Sequence, residues 1–160
     1  FYAFDPNAPT KEVSPGLWKL QIVADKIVFE TEASKGVTVT TDKTEYARGE
    51  SVMITLENRA EVAKEHSPWY SIERFVDNSW TRVPYITCPC NALCNAPPGI
   101  LQSGERRQEG WNQKEGFCDN FKEVSSQAVP GRYRVMITVN NVGDTQENWE
   151  TVYSKEFVIK

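Results

Sequence analysis

The chain has 160 residues, about one and a half times a typical ~100-residue β-sandwich and short of two. Apolar residues make up 39% of it and charged ones 25%, enough to bury a core and not the composition of a disordered chain. A net charge of −4 argues against a sequence-independent grip on nucleic acid, and no apolar run reaches the ~18 residues of a transmembrane helix.

The chain begins with Phe1 rather than Met, as expected of a chain cut at its N-terminus. Residues 1–36 read as an arm. Phe1, Tyr2 and Phe4 precede a Pro-containing spacer from Pro6 to Pro15, and Leu17, Trp18, Leu20 and Ile22, then Ile27 to Phe29, offer one or two strands. From residue 37 the apolar pattern has period two. Val37, Val39 and Thr41 alternate with Thr38 and Thr40, and Val52, Ile54 and Leu56 with Met53, Thr55 and Glu57. Tyr133, Val135, Ile137 and Val139 form a later run, and Val152, Phe157 and Ile159 close the chain in the same manner. These are β-branched and aromatic strands. Turn residues separate them at Arg48-Gly49-Glu50, Asp77-Asn78-Ser79, Pro130-Gly131 and Asn140 to Asp144. Only Glu57 to His66 has helical composition, enough for one or two turns. Many short strands with close turns describe an all-β antiparallel sandwich or barrel.

Four segments carry a resemblance. Tyr46-Ala47-Arg48-Gly49-Glu50 leads into a strand ending at Asn58, and another strand ends Asp77-Asn78-Ser79-Trp80. Pro130-Gly131-Arg132-Tyr133-Arg134-Val135 opens a late strand, and Val152 to Ile159 closes the chain. In this order the segments resemble the prokaryotic immunoglobulin-like domains of bacterial and archaeal cell-envelope proteins. The resemblance covers residues 37–160 and implies an immunoglobulin-like antiparallel β-sandwich, with the 1–36 arm outside it and residues 86–121 as an insertion. Trp80 and Tyr133 are expected in structural roles, each a large apolar body with one polar handle. Glu105 to Trp111 is expected to be an edge strand after the Gly104-Glu105 turn.

The four cysteines, Cys88, Cys90, Cys94 and Cys118, all fall within the insertion. An even, clustered set in a loop rich in Pro, Asn and Gly reads as two disulfides formed in an oxidising compartment. A Cys88–Cys90 bridge closes too small a ring. That leaves Cys88–Cys94 with Cys90–Cys118, or Cys88–Cys118 with Cys90–Cys94. A four-thiolate zinc site is disfavoured because its second pair of closely spaced cysteines is missing.

Catalytic patterns are weak. Ser67 beside His66, the single histidine, is not a triad, and there is no nucleophile elbow or phosphate loop. His66 is expected in an exposed loop. The oxygen-rich segment Asn140 to Asn148 lacks the ligand spacing of an EF-hand and reads as a hairpin loop rather than a calcium site. No catalytic, cofactor or metal site is therefore expected.

The sequence instead points to assembly outside the cell or at its surface. An aromatic arm is the kind of segment that completes a neighbour's sheet by strand addition. One arm and one groove used head to tail build a filament of identical copies, with Phe1, Tyr2, Phe4, Leu17, Trp18, Leu20 and Ile22 at the subunit interface. The alternative is a secreted binding module, such as a proteinase inhibitor, that presents the cysteine loop of 86–121 to a protein ligand.

Overall fold

The structure, a computed structural model, describes residues 19–23, 26–30, 36–145 and 148–160, the first two stretches by backbone alone. The chain divides into two units, Phe1–Glu32 and Ala33–Lys160. In the first, β1 (Lys19–Val23) and β2 (Lys26–Glu30) pair as an antiparallel hairpin with Leu20 opposite Phe29 and Ile22 opposite Ile27. Of the expected interface residues, Leu20 and Ile22 thus lie in β1, and Phe1, Tyr2, Phe4, Leu17 and Trp18 lie outside the described residues.

The second unit continues with β3 (Val37–Thr41), β4 (Glu45–Tyr46), β5 (Val52–Asn58), β6 (Lys64–His66), β7 (Ser71–Val76) and β8 (Ser79–Val83). Then come β9 (Gly99–Leu101), β10 (Arg106–Trp111), β11 (Lys114–Asp119), β12 (Lys122–Gln127), β13 (Gly131–Asn141), β14 (Glu150–Tyr153) and β15 (Phe157–Ile159). No α-helix occurs among the described residues. One sheet has the order β10-β5-β3, all antiparallel. The other is built around β13, with β15 and β14 along one side and β7 and β6 along the other. Outside these, β4 runs parallel to β15, β8 pairs with β7, and β9 with β6.

Alternation explains the layers. Val52, Ile54 and Leu56 on one sheet and Tyr133, Val135, Ile137 and Val139 on the other point into a single core with Ile72, Trp111 and Phe157. Each such side chain contributes about 1.5–3 kcal/mol by leaving water. The polar residues between them stay partly or wholly exposed, as a half-buried antiparallel sheet requires.

The fold is an immunoglobulin-like sandwich on its own strand order. The chain enters through β3 in one sheet and crosses to the other, where β4 lies parallel to the last strand. At the corner before β13 the Tyr133 hydroxyl donates to the Val129 carbonyl oxygen at 2.5 Å, the tyrosine corner of this architecture. Gly131 has no positive φ and opens β13 opposite Ile159.

Two local expectations are corrected. Residues 57–66 hold no helical turn, because Asn58 organises that stretch from inside. Its Nδ2 lies 2.9, 3.0 and 3.1 Å from the carbonyl oxygens of Val62, Leu101 and Gln102, and its Oδ1 accepts the Ala60 N–H. The segment 86–121 is not one inserted loop either: β9 within it pairs with β6, while β10 is the edge strand expected after the Gly104-Glu105 turn and buries Trp111 in the core. What projects from the sandwich is residues 84–98 and the β11–β12 hairpin, which pairs only with itself among the described residues.

Candidate interaction surface

The hairpin grows out of a fixed base. Gln113, buried and with φ of 57°, accepts the Gly49 N–H through its side-chain oxygen and donates its amide to the Ala47 carbonyl. Its own backbone oxygen accepts the Ala128 N–H at 2.6 Å, so the two hairpin legs leave the sandwich from one clamped point. Arg74 of β7 pairs with Glu115 at 2.8 Å, and the Gly116 N–H donates to the Pro84 carbonyl. A side chain at 116 would strike Ser125 and the Val124 carbonyl, both 2.8 Å from the Cβ position; hence the glycine.

Two disulfides brace the projection, Cys88–Cys94 and Cys90–Cys118, the first of the two pairings that the spacing allows. Cys118 sits in β11, so the second bridge ties the loop 84–98 to the hairpin. A covalent tie across 28 residues restricts a segment that buries little apolar surface of its own. The bridges also place the folded chain in an oxidising compartment.

Opposite residues in the hairpin share a face. Phe117 is paired with Val124, between Asp119–Lys122 and Glu115–Ser126. Phe117 is 58% exposed and Val124 45%. The turn is Asn120-Phe121, with φ of 46° and 62°, the type I′ geometry that suits a two-residue hairpin. Its second position favours glycine, yet it holds a phenylalanine 82% exposed. Left-handed backbone costs a non-glycine residue about 1–2 kcal/mol. Leu93, in the ring closed by Cys88–Cys94, is wholly exposed. The stapled projection therefore displays four apolar side chains to water on a rigid support.

The catalytic candidates resolve differently. His66 is buried in β6 rather than exposed in a loop, because its register against Val139 turns it inward. Its Nδ1 lies 2.8 Å from the Ser67 carbonyl and its Nε2 3.3 Å from Arg107. These partners fix the tautomer with the proton on Nδ1. Ser67 donates its hydroxyl to the Trp69 carbonyl, so the neighbouring serine is directed elsewhere. In the 140–148 loop the Asn141 amide donates to Asp144, and Lys64 donates to Asn141. Among the described residues no three His, Cys, Asp or Glu side chains gather to hold a metal, and no helix is long and apolar enough to cross a membrane.

Trp80 packs on the outer face of its sheet. Arg134 lies between the rings of Trp80 and Tyr153, 4.3 and 3.9 Å from their centroids, and pairs with Glu73 at 2.6 Å. This ladder was not visible in the sequence, since its members come from β7, β8, β13 and β14. Nor was the hairpin: only Asp119-Asn120 marks its turn by composition.

No protein-family model matches the chain, and no curated protein matches it. Among solved structures, the chain is similar to PapD-like domain 7 of human CEP192, with 11% identity and a TM-score of 0.37 over 88% of this chain and 96% of that one. A Pseudomonas fluorescens alkylpurine DNA glycosylase AlkC shares 14% identity at a TM-score of 0.34, over 80% of this chain and 31% of that one. A β-glucosidase from Listeria innocua shares 14% at 0.32, over 77% and 16%. The chain thus spans about a third or less of the two enzymes. Scores this low carry no inference, and the immunoglobulin-like assignment rests on the strand order and the tyrosine corner described above.

Proposed function

We propose that this chain is a non-catalytic, extracellular binding module that presents its stapled hairpin to a protein partner with an apolar cleft. The observation that carries the reading is Phe121, held exposed in a left-handed turn at the tip of a disulfide-braced hairpin. Backbone strain and an uncovered aromatic both oppose stability, and features of that kind gather where a surface binds. A convex apolar tip fits a concave pocket, and a preorganised one loses little entropy on binding. Affinity capture from secreted and envelope material of the source cell tests this, comparing wild type with Phe121→Gly/Phe117→Ser. The reading expects a protein held by the wild type and lost both in the variant and after reduction. Equal retention by the two, or nothing held specifically by the wild type, overturns it.

A second reading is favoured by the first unit, in which β1 and β2 form a hairpin of their own. In it, the aromatic arm, with Phe1, Tyr2, Phe4, Leu17, Trp18, Leu20 and Ile22 at the subunit interface, joins copies by strand addition into a cell-surface or envelope filament. Deleting residues 1–32 then abolishes polymers seen by negative-stain microscopy and leaves the sandwich folded. Polymers that survive the deletion, or a full chain that stays monomeric, would exclude this reading.

A further inference from the structure

Behind the hairpin, the C-terminal end of β10 borders a groove that neither reading above uses. The break between β6 and β7 sets it up. The Ser67 N–H donates to the Thr138 carbonyl and the Ser67 hydroxyl to the Trp69 carbonyl, so the chain leaves the ladder at residues 67–70 and places Trp69 at the surface, 41% exposed. Tyr70 follows, stacked on Tyr85 with ring centroids 5.4 Å apart and an interplanar angle of 16°. The Tyr85 hydroxyl donates to the Tyr70 carbonyl, which locks the pair.

Two hollows of about 270 Å³ each adjoin here through Tyr85, Ile86 and Asn112. One is walled by Trp69, Tyr70 and Tyr85, with Thr87 and Glu109 beside them. The other is polar, with Lys114, Glu123 and Ser125. Each is a little under the ~300 Å³ at which small-molecule sites begin, the size of a single sugar unit's seat rather than of a deep pocket. The Glu109 carboxylate has no hydrogen-bond or ion-pair partner among the described residues. The Asn112 side-chain oxygen accepts the Lys114 N–H at 3.2 Å, which leaves its amide nitrogen available.

We infer that this groove binds a glycan of uncharged pyranose units. A pyranose presents C–H groups on its faces and hydroxyls around its rim. An aromatic plate takes the first through C–H···π contact and hydrophobic cover, and carboxylate and amide groups take the second. The groove has both kinds of surface side by side. Phosphorylated or sulfated ligands fit poorly, because Glu109 and Glu123 outnumber Lys114 and a net charge of −4 repels anions. A lipid fits poorly too, since the second hollow is lined mostly by polar groups.

Titration calorimetry and tryptophan fluorescence with chitohexaose, cellohexaose and mannohexaose test the inference. At least one is expected to bind with a Kd of roughly 100 μM. Trp69→Ala weakens it at least about ten-fold and Asn112→Ala several-fold, while Phe121→Gly, outside the groove, leaves it unchanged. Circular dichroism verifies that the Trp69 variant folds, and Asn112→Ala reports independently if it does not. No binding of any of the three at about 5 mM, where even a millimolar affinity fills most of the sites, overturns the inference. So does binding that is indifferent to both groove substitutions. Loss of hairpin-dependent protein capture with glycan binding intact sinks the proposed function alone.

Discussion

Tyr133 and Asp42 each tie a strand to a turn through one side-chain oxygen. Tyr133→Phe keeps the buried ring, which stacks on Phe157 at 5.9 Å, but removes the bond to Val129. It is expected to cost about 1 kcal/mol in chemical denaturation. Asp42 accepts from the Tyr46 hydroxyl at 2.7 Å and from the Met53 N–H at 2.9 Å. Desolvation alone would raise its pKa, yet these two bonds win and hold the carboxyl below its ordinary range. A depressed folded pKa means stability that is present above the unfolded value and lost as pH falls through the folded one. Melting temperature should therefore drop on acidification below about pH 4, and Asp42→Asn should flatten that part of the curve. An acid limb as steep in the variant as in the wild type would refute this. Tyr46 responds at the other extreme: burial first, then the Asp42 bond, pushes its pKa up to about 12. Its neutral form is favoured in the fold, so this contribution holds below the ordinary tyrosine pKa of ~10 and fades as pH rises toward 12.

Among the elements, the β11–β12 hairpin opposes its own stability at Asn120-Phe121. Phe121→Gly removes the left-handed strain and is expected to stabilise the module by about 1 kcal/mol, read as a higher denaturation midpoint. The same change should abolish partner capture. A neutral or destabilising effect would mean that Phe121 packs as structure rather than being held out for a ligand. Much of the element pattern was legible beforehand. Alternation marked β3, β5, β13 and β15 because the side chains that signal a strand are its own residues. It did not mark β6, since Lys64-Glu65-His66 looks polar and becomes buried only where β13 and β9 cover it.

For the whole molecule the two bridges differ in reach. Cys90–Cys118 closes 28 residues and Cys88–Cys94 closes 6. On the chain-entropy account the long one is worth about 3–4 kcal/mol and the short one about 2. Cys90→Ser/Cys118→Ser should lower the melting temperature more than Cys88→Ser/Cys94→Ser, and should also free the hairpin for faster amide exchange at 114–127. The reverse order would show that the hairpin is held by its base at Gln113 and Arg74 rather than by the bridge.

What the sequence by itself determined was everything carried by near neighbours: the all-β class, the principal strands and an oxidising compartment. Period-two alternation, turn residues and an even cluster of cysteines are local facts that survive any packing. The tertiary structure alone decided which cysteines pair, that β9 belongs to a sheet, that His66 is buried against Arg107 and that Trp69, Tyr70 and Tyr85 share a groove. Most of these depend on partners well beyond a local window, and no local pattern encodes which distant strand will lie alongside.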